Sequence, residues 1–221
     1  MGTETAPAVS HPLGPVPAVP PAVRRLVAGL ARLAVPGALN LYAEADSVAW
    51  GDRRGAATAR REALTSYLTR QWSAPVVLVG EAPGKRGARW TGIPFTSPFL
   101  LSGSGPSEPT ATVVHRVLAE LGCESEVLCW NASVLFPPGN RDPRRPELDA
   151  SAPALERVCR GRTVLAVGRH AQRATGAPYL RHPSHGGATR FADGLRDALG
   201  RPSGGGTGMV GEEGDEDEEV R

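Results

Sequence analysis

Three short polar segments of the sequence stand directly after runs of apolar residues. They offer a carboxylate at Glu81, an amide at Asn131 and an imidazole at His182, and a carboxylate with an imidazole is a common pair for moving protons. Each segment alone is explained equally well by a turn or a solvated loop. Three such segments, each after a predicted strand, favour a functional site. They read GEAPG at residues 80–84, WNA at 130–132 and HPS at 182–184.

Two common ligand sites do not fit these segments. A Walker phosphate loop has four residues between its glycines, and then a lysine followed by serine or threonine. Only three residues separate the two glycines of GEAPGK, and Arg86 follows its lysine. A zinc site built from His182, His185 and a cysteine lacks the usual ligand spacing. We therefore expect neither a Walker phosphate loop nor a bound metal ion.

The surrounding pattern alternates helices with short β-branched strands. Short apolar runs predict buried parallel strands, and apolar periodicity predicts the helices. Their alternation indicates one sheet covered on both faces. We predict an α/β fold, a three-layer α/β/α sandwich around a central, mostly parallel four-stranded sheet. The strands are predicted at 76–80, 127–131, 163–168 and 178–182, and the helices at 22–35, 55–70, 110–121, 147–160, 169–175 and 187–199.

One connection is unusually long. Residues 81–109 follow the first predicted strand and are rich in glycine, proline, serine and threonine. A compact domain rarely contains so long an irregular loop without a functional reason. The loop leaves the carboxyl end of a strand, the edge at which open parallel sheets bind ligands. The sequence therefore predicts a binding crevice between this loop and the strand ends.

Charge is divided between a basic body and an acidic end. Residues 1–211 carry 24 basic and 16 acidic residues, whereas the last eleven residues carry seven acids and one arginine. Lys85 is the only lysine, and arginine suits phosphate oxygens. The basic body indicates a polyanionic partner, although a GC-rich genome would enrich arginine in the same way. The acidic end either mimics DNA or only aids solubility.

Composition also divides the chain into three parts. The Pro-rich residues 1–21 and the Gly-rich, acidic residues 201–221 are expected to be disordered arms, and residues 22–200 to form one domain. No stretch is apolar enough for a membrane helix, and we find no secretory signal. We expect a cytoplasmic monomer without a membrane partner.

The order of the motifs resembles a known family. GEAPG, then GIPF at 92–95, a strand that ends in Asn131 and runs to PPGNRDP at 137–143, and then HPS are similar to the motifs of the uracil-DNA glycosylase superfamily. The resemblance covers about residues 75–199 and is greatest to the iron–sulfur-containing family-four branch. It implies an enzyme that flips uracil, or a related deaminated base, out of DNA and hydrolyses its N-glycosidic bond.

The resemblance implies a role for each matching residue. Glu81 corresponds to the acid near the attacking water, and His182 to the histidine that faces a carbonyl oxygen of the base. Phe95 corresponds to the ring that stacks on the base, and Asn131 to the amide that reads its edge. The remaining substrate-binding positions would be Gly80, Ala82, Pro83 and Gly84, and the DNA-binding positions Lys85, Arg86, Arg89, Arg141, Ser184 and His185.

The sequence departs from the family-four pattern in three places. That branch holds its cluster with four cysteines, whereas this chain has Cys123, Cys129 and Cys159, and only the last could match a ligand. We therefore expect no iron–sulfur cluster and no other cofactor. TSPFLLSG after Phe95 and HGG after HPS also differ. These differences leave open whether the preferred base is uracil, hypoxanthine, xanthine or another damaged base.

Three functions fit this reading of the sequence. The first is a monofunctional DNA glycosylase, which needs no Schiff base, and the sequence places no lysine at a strand end. The second is a non-catalytic protein that binds uracil-containing or damaged DNA with the same fold. The third is an unrelated α/β hydrolase that acts on free nucleotides. We favour the glycosylase, because a pure binder has no need of a carboxylate at Glu81 beside a polyanion.

Overall fold

The computed structural model describes residues 18–49 and 51–202. In this part of the chain the strands are β1 (Val76–Gly80), β2 (Val127–Asn131), β3 (Thr163–Val167) and β4 (Tyr179–Leu180). The helices are α1 (Pro21–Leu30), α2 (Glu44–Ala49), α3 (Ala56–Gln71), α4 (Ala88–Thr91), α5 (Pro98–Ser102), α6 (Pro109–Glu120), α7 (Arg145–Cys159), α8 (Arg169–Thr175) and α9 (Ala188–Ala198). A short 3₁₀ helix covers Pro138–Asn140.

The four strands form one parallel sheet in the order β2-β1-β3-β4. This arrangement confirms the predicted α/β fold. Strand β4 is shorter than the predicted 178–182. It lies at the edge of the sheet with one neighbour, and Pro178 directly before it has no N–H to extend its ladder. The shortening leaves His182 in a loop just beyond the sheet.

Alternate residues of the strands pack into two separate cores. Val77 and Val79 of β1 contact one cluster, which includes apolar residues of α1, α3 and α7. Val76 and Leu78 contact the other, which includes residues of α6 and α9. Strands that are buried on both faces need apolar side chains at every position, and β1 and β2 are buried throughout. The result is the predicted three-layer sandwich.

The long loop is more ordered than its composition indicates. It contains α4 and α5, where the sequence predicts irregular structure. Helix α5 begins because Ser97 Oγ accepts a hydrogen bond from Leu100 N (3.2 Å) and Pro98 occupies the first turn. Gly103 follows the helix in a left-handed conformation that ends it. These short helices fold the loop over the carboxyl edge of the sheet.

The first helix differs from its predicted bounds of 22–35. Helix α1 ends at Leu30 and not at residue 35, because Asn40 Nδ2 donates to the carbonyl oxygens of Leu30 and Leu33 (both 2.8 Å) and satisfies the end of the helix. Val19 already packs against the core. The rest of the two predicted arms, residues 1–17 and 203–221, lies outside the described residues. Among the residues described, no helix is long and apolar enough to cross a membrane.

Candidate active site

The ladder between β1 and β2 continues past the ends of both strands. Ala132 N donates to Gly80 O (2.8 Å), and Ser133 N donates to Glu81 O (2.9 Å). These bonds fix the backbone that carries the Glu81 carboxylate next to the backbone that carries the Asn131 amide. The sheet itself therefore positions the two groups.

A cleft of about 560 Å³ opens at this edge of the sheet. It brings together most of the sequence-predicted site residues: Gly80, Glu81, Ala82, Pro83, Gly84, Lys85, Arg86, Phe95, Asn131, Arg141 and His182. It also includes residues that the prediction missed: Ala88, Glu108, Pro109, Thr110, Pro137, Gly139, Asn140 and Asp142. Arg89, Ser184 and His185 do not line it.

A histidine that the sequence analysis missed orients the Glu81 carboxylate. His170 Nδ1 lies 2.6 Å from Glu81 Oε1 and 3.5 Å from Asp142 Oδ2. Burial raises the pKa of Glu81, and the hydrogen bond and charge of His170 oppose that rise. His170 stands in α8 directly after β3, so the rule that selected the other strand ends could have found it. The pair holds one carboxylate oxygen and leaves the other for a ligand.

The same three side chains are the group that could hold a metal ion within residues 18–49 and 51–202. One ligand atom each of Glu81, Asp142 and His170 lies within 4.8 Å of the others. Two carboxylates and an imidazole suit several divalent ions. The hydrogen bond between Glu81 and His170 accounts for their closeness without an ion. We therefore treat the group as a histidine that is hydrogen-bonded to Glu81 and lies beside Asp142.

Phe95 and Asn131 converge on one wall of the cleft. A Cβ on Gly80 would lie 2.6 Å from Phe95 Cζ and 2.9 Å from Asn131 Oδ1, so only glycine permits their approach. Phe95 adopts a left-handed backbone (φ 53°), and such strain collects at binding sites. The buried Asn131 amide makes no hydrogen bond with any described side chain or backbone group. A ring face and a free amide side by side suit a planar heterocycle.

His182 is held as a neutral hydrogen-bond donor. Ser184 N donates to His182 Nδ1 (3.2 Å), and Ser184 Oγ lies 2.7 Å from the same nitrogen. Burial, with smaller effects from Arg181 and His185, lowers the pKa of His182. A neutral ring whose Nδ1 accepts a hydrogen bond carries its proton on Nε2. His182 thus keeps an N–H on Nε2 with which it can donate a hydrogen bond to a ligand in the cleft.

The predicted DNA-binding residues fall into two groups. Lys85 and Arg86 are exposed at the rim of the cleft, and the exposed His185 Nδ1 lies 3.0 Å from Ser184 Oγ. Arg89 lies largely buried, 3.5 Å from Asp52. Arg141 is paired with the buried Glu147. Because the protein already supplies partners for Arg89 and Arg141, we restrict the proposed phosphate contacts to the first group and Ser184.

Replacing Glu147 by alanine is expected to lower the free energy of unfolding by about 3 kcal/mol, the cost of breaking a buried ion pair. Its side chain is 2% exposed, pairs with Arg141, and accepts a hydrogen bond from Arg144 N (2.8 Å). Urea unfolding at pH 7 measures the loss. Asp149, 59% exposed in a surface pair with Arg145, is the control, and Asp149→Ala should cost under about 1 kcal/mol. Equal losses would contradict a structural role for Glu147.

The same variant has a predictable pH dependence. The hydrogen bond from Arg141 lowers the pKa of Glu147 below its ordinary 4.5. A carboxyl group whose pKa is lower in the folded than in the unfolded protein stabilises the fold at pH values above its unfolded pKa. That contribution disappears as the pH falls through the folded pKa. The parent and Glu147→Ala should therefore approach each other in stability below about pH 4.

Glu108 is a second acid in the cleft that the sequence analysis missed. It precedes α6, but its side chain does not cap the helix. The carboxylate fills the space beside two loop glycines: a Cβ would lie 1.4 Å from it on Gly87 and 2.2 Å from it on Gly84. No described residue forms an ion pair with it, and burial raises its pKa to about 7. Near neutral pH this carboxyl group is about half protonated.

Replacing Glu108 by glutamine is expected to stabilise the protein at alkaline pH. A raised carboxyl pKa stabilises the fold below the unfolded value, and that stability is lost as pH rises through about 7. The free energy of unfolding of Glu108→Gln should therefore exceed that of the parent by at most about 3 kcal/mol at pH 8 and match it near pH 5. Thermal unfolding at both pH values is the test. Glu120 is exposed on the same helix, so Glu120→Gln should leave the stability unchanged at both pH values. A gain at pH 8 as large as that of Glu108→Gln would contradict the assignment to Glu108.

The three cysteines do not gather at one site. Cys123 and Cys129 are buried in the core and Cys159 is half-buried at the end of α7, all as free thiols. Burial raises the pKa of Cys129 to about 12 and that of Cys159 to about 11. The described part of the chain therefore offers no cysteine set for an iron–sulfur cluster.

Comparison with solved structures finds two that are similar to this chain. The crystal structure of wild-type SMUG2 from Pedobacter heparinus is similar with a TM-score of 0.56 and 14% sequence identity, over 81% of this chain and 97% of that one. The structure of wild-type UNG from Nitratifractor salsuginis has a TM-score of 0.43 and 20% identity, over 70% and 84% of the two chains. No curated protein sequence matches the chain.

The sequence pattern of one family covers more than half of the chain. The Uracil DNA glycosylase superfamily matches residues 68–202, which include β1 to β4 and every residue that lines the cleft. This protein belongs to the uracil DNA glycosylase superfamily.

Proposed function

We propose that this DNA glycosylase removes uracil, or a related deaminated base, from DNA and leaves an abasic site. One observation carries the proposal: the carboxylate of Glu81, the ring of Phe95, the amide of Asn131 and the imidazole of His182 line a single cleft. Chemistry on a base requires that the base leave the helix and enter such a pocket. The exposed Lys85 and Arg86 at its rim favour a polyanionic substrate.

Base recognition follows from two of these groups. Phe95 offers a stacking face, an interaction worth about 1–3 kcal/mol per base. The Asn131 amide donates to one carbonyl oxygen and accepts from the neighbouring N3–H. Uracil presents that pair of groups, whereas cytosine presents an acceptor at N3 and an amino donor. In this orientation of the Asn131 amide, the site favours a deaminated base over its parent.

Bond cleavage uses the other two groups. The N-glycosidic bond breaks with its electron pair passing to the base, so that positive charge develops on the sugar and negative charge on a base carbonyl oxygen. The Glu81 carboxylate stabilises the sugar cation, orients a water molecule toward C1′ and accepts its proton. The neutral His182 donates from Nε2 to the charged oxygen, as oxyanion stabilisers do. The departing base anion then takes up a proton from solvent, and Glu81 releases to solvent the proton that it accepted.

The proposed reaction is monofunctional. A strand-cleaving glycosylase forms a Schiff base through an amine at the reaction centre. Lys85 is the only lysine of the chain, and it is exposed at the rim of the cleft. Borohydride is therefore expected to trap no covalent adduct with DNA.

Base release from labelled oligonucleotides tests the proposal. Uracil is placed in a single strand and opposite guanine or adenine, and abasic sites are cleaved with alkali. Release from DNA, with no release from free deoxyuridine monophosphate, supports the glycosylase. Turnover of the free nucleotide instead would support a nucleotide hydrolase. No release, even with hypoxanthine or xanthine, but salt-dependent binding of DNA would favour the non-catalytic binding protein.

A further inference from the structure

A second cleft adjoins the first one. It has a volume of about 720 Å³. Lys85, Arg86 and Gly139 line both clefts, so a chain that occupies the first can continue into the second. The walls of the second cleft are Lys85, Arg86, Arg89, Trp90, Gly105, Pro106, Phe136, Pro138 and Gly139. Nothing in the proposed reaction uses it.

Trp90 is the exposed aromatic of this cleft, and the protein holds it in place. Its residue is 47% exposed. The Arg89 guanidinium covers its ring at 4.4 Å. The Trp90 carbonyl oxygen accepts a hydrogen bond from Arg60 Nε (3.4 Å). Both arginines are anchored by the buried Asp52, at 2.7 Å from Arg60 and 3.5 Å from Arg89.

A second aromatic residue that lines this cleft, Phe136, is also fixed, and the Arg89 guanidinium lies 5.6 Å from its ring as well. Phe136 is buried, and its N–H and C=O pair with Leu39 at 2.9 Å each. A fixed ring loses little side-chain entropy when a ligand stacks on it. An exposed but ordered tryptophan, in a cleft that proline and phenylalanine residues also line, is therefore suited to bind a flat, apolar group.

The charges at the rim identify the rest of the ligand. Lys85 and Arg86 are exposed where the two clefts meet, and each suits a phosphate group. A stacking platform with a basic rim is the combination that binds the backbone and bases of a nucleic acid strand. The occupant must also be continuous with whatever fills the first cleft.

We propose that the second cleft binds a nucleotide adjacent to the target nucleotide on the same DNA strand, with its base stacked on Trp90 and its phosphate at Lys85 and Arg86. The position of the target rests on the proposed function. A neighbouring base in a duplex is paired and stacked, and freeing it costs additional energy. The subsite therefore favours single-stranded DNA.

Binding measurements test the subsite separately from catalysis. The full chain carries Glu81→Gln in every sample, so that bound uracil stays in place, and fluorescence anisotropy reports Kd for strands with one uracil. Trp90→Ala is expected to weaken single-strand binding about tenfold and duplex binding less than about twofold. Trp90→Phe should retain most of the affinity, which also covers the case in which the alanine variant folds poorly. Phe99→Ala, at a residue 50% exposed on α5 and outside both clefts, is the matched control.

Shortened strands locate the nucleotide. Removing the nucleotide on one side of uracil should weaken binding to the protein that keeps Trp90 about tenfold. On that shortened strand, Trp90→Ala should cause no further loss. Removing the nucleotide on the other side should have neither effect. Three results would overturn the subsite: Trp90→Ala binds with unchanged affinity, it weakens duplex and single-strand binding equally, or Phe99→Ala loses as much affinity. If the parent releases no base but these binding differences hold, the proposed function fails and the subsite stands.

Discussion

Replacing Glu81 by glutamine is expected to lower the rate of base release by about 10²- to 10⁴-fold. Glutamine keeps the size of the side chain and a partner for His170, but it removes the charge that faces the sugar cation and the base that accepts the water proton. DNA affinity should be unchanged or higher, because a negative charge beside a polyanion is lost. Single-turnover release of uracil and equilibrium binding measure the two effects.

Asp142→Asn is the matched control for this substitution. Asp142 is exposed and lies 3.5 Å from the same His170 ring, so its removal changes the charge of the group without touching Glu81. We expect a decrease of less than about tenfold. An equal loss in both variants would assign the effect to the net charge of the cluster. Release by Glu81→Gln at the parent rate would remove Glu81 from the mechanism.

Replacing His182 by alanine is expected to reduce kcat by about 10²- to 10³-fold and to change KM little. The loss falls on kcat because the oxygen that His182 faces carries its charge only as the bond breaks. His185→Ala is the control, since His185 is exposed and contacts the same Ser184 hydroxyl. It should affect DNA binding more than the chemical step. A loss of kcat in His185→Ala as large as in His182→Ala would contradict this division.

The protonation state of His182 is open to direct measurement. Because its pKa is lowered, the neutral ring should persist below pH 6.5, where an ordinary imidazole is half protonated. Nitrogen chemical shifts of labelled protein should show the tautomer protonated on Nε2, with Nδ1 as acceptor. A ring protonated at pH 7, or protonated on Nδ1 alone, would exclude the neutral Nε2 donor.

The positions of Glu81, Asn131 and His182 follow from the sequence because of one rule of parallel sheets. Each residue comes directly after an apolar run, and the carboxyl ends of parallel strands share an edge. The rule does not depend on the exact length of a strand. His182 therefore lines the cleft although β4 is shorter than predicted. The residues that depend on it line one cleft in the structure.

Glu108 and Arg89 show where sequence reasoning stops. The direction of the Glu108 side chain depends on the empty space at Gly84 and Gly87, about twenty residues earlier, and no periodic pattern reports that contact. In the sequence, Arg89 resembles a loop arginine that is free to bind a polyanion. In the structure it forms an ion pair with Asp52, which lies in a different part of the chain. Both side chains are positioned by packing between irregular segments, and such packing leaves no periodic pattern in the sequence.

The ladder that extends beyond β1 and β2 has a consequence for how such a protein diverges. Glu81 and Asn131 are joined through the sheet, so their spacing is insulated from insertions and substitutions in the connecting loops. Phe95 and Glu108 come from the long loop and have no such tether. Substitutions in that loop can therefore change the wall that would contact the base, while Glu81, the proposed base for the attacking water, keeps its position relative to Asn131. Relatives with this sheet are expected to differ in which lesion they accept more than in how they cut it out.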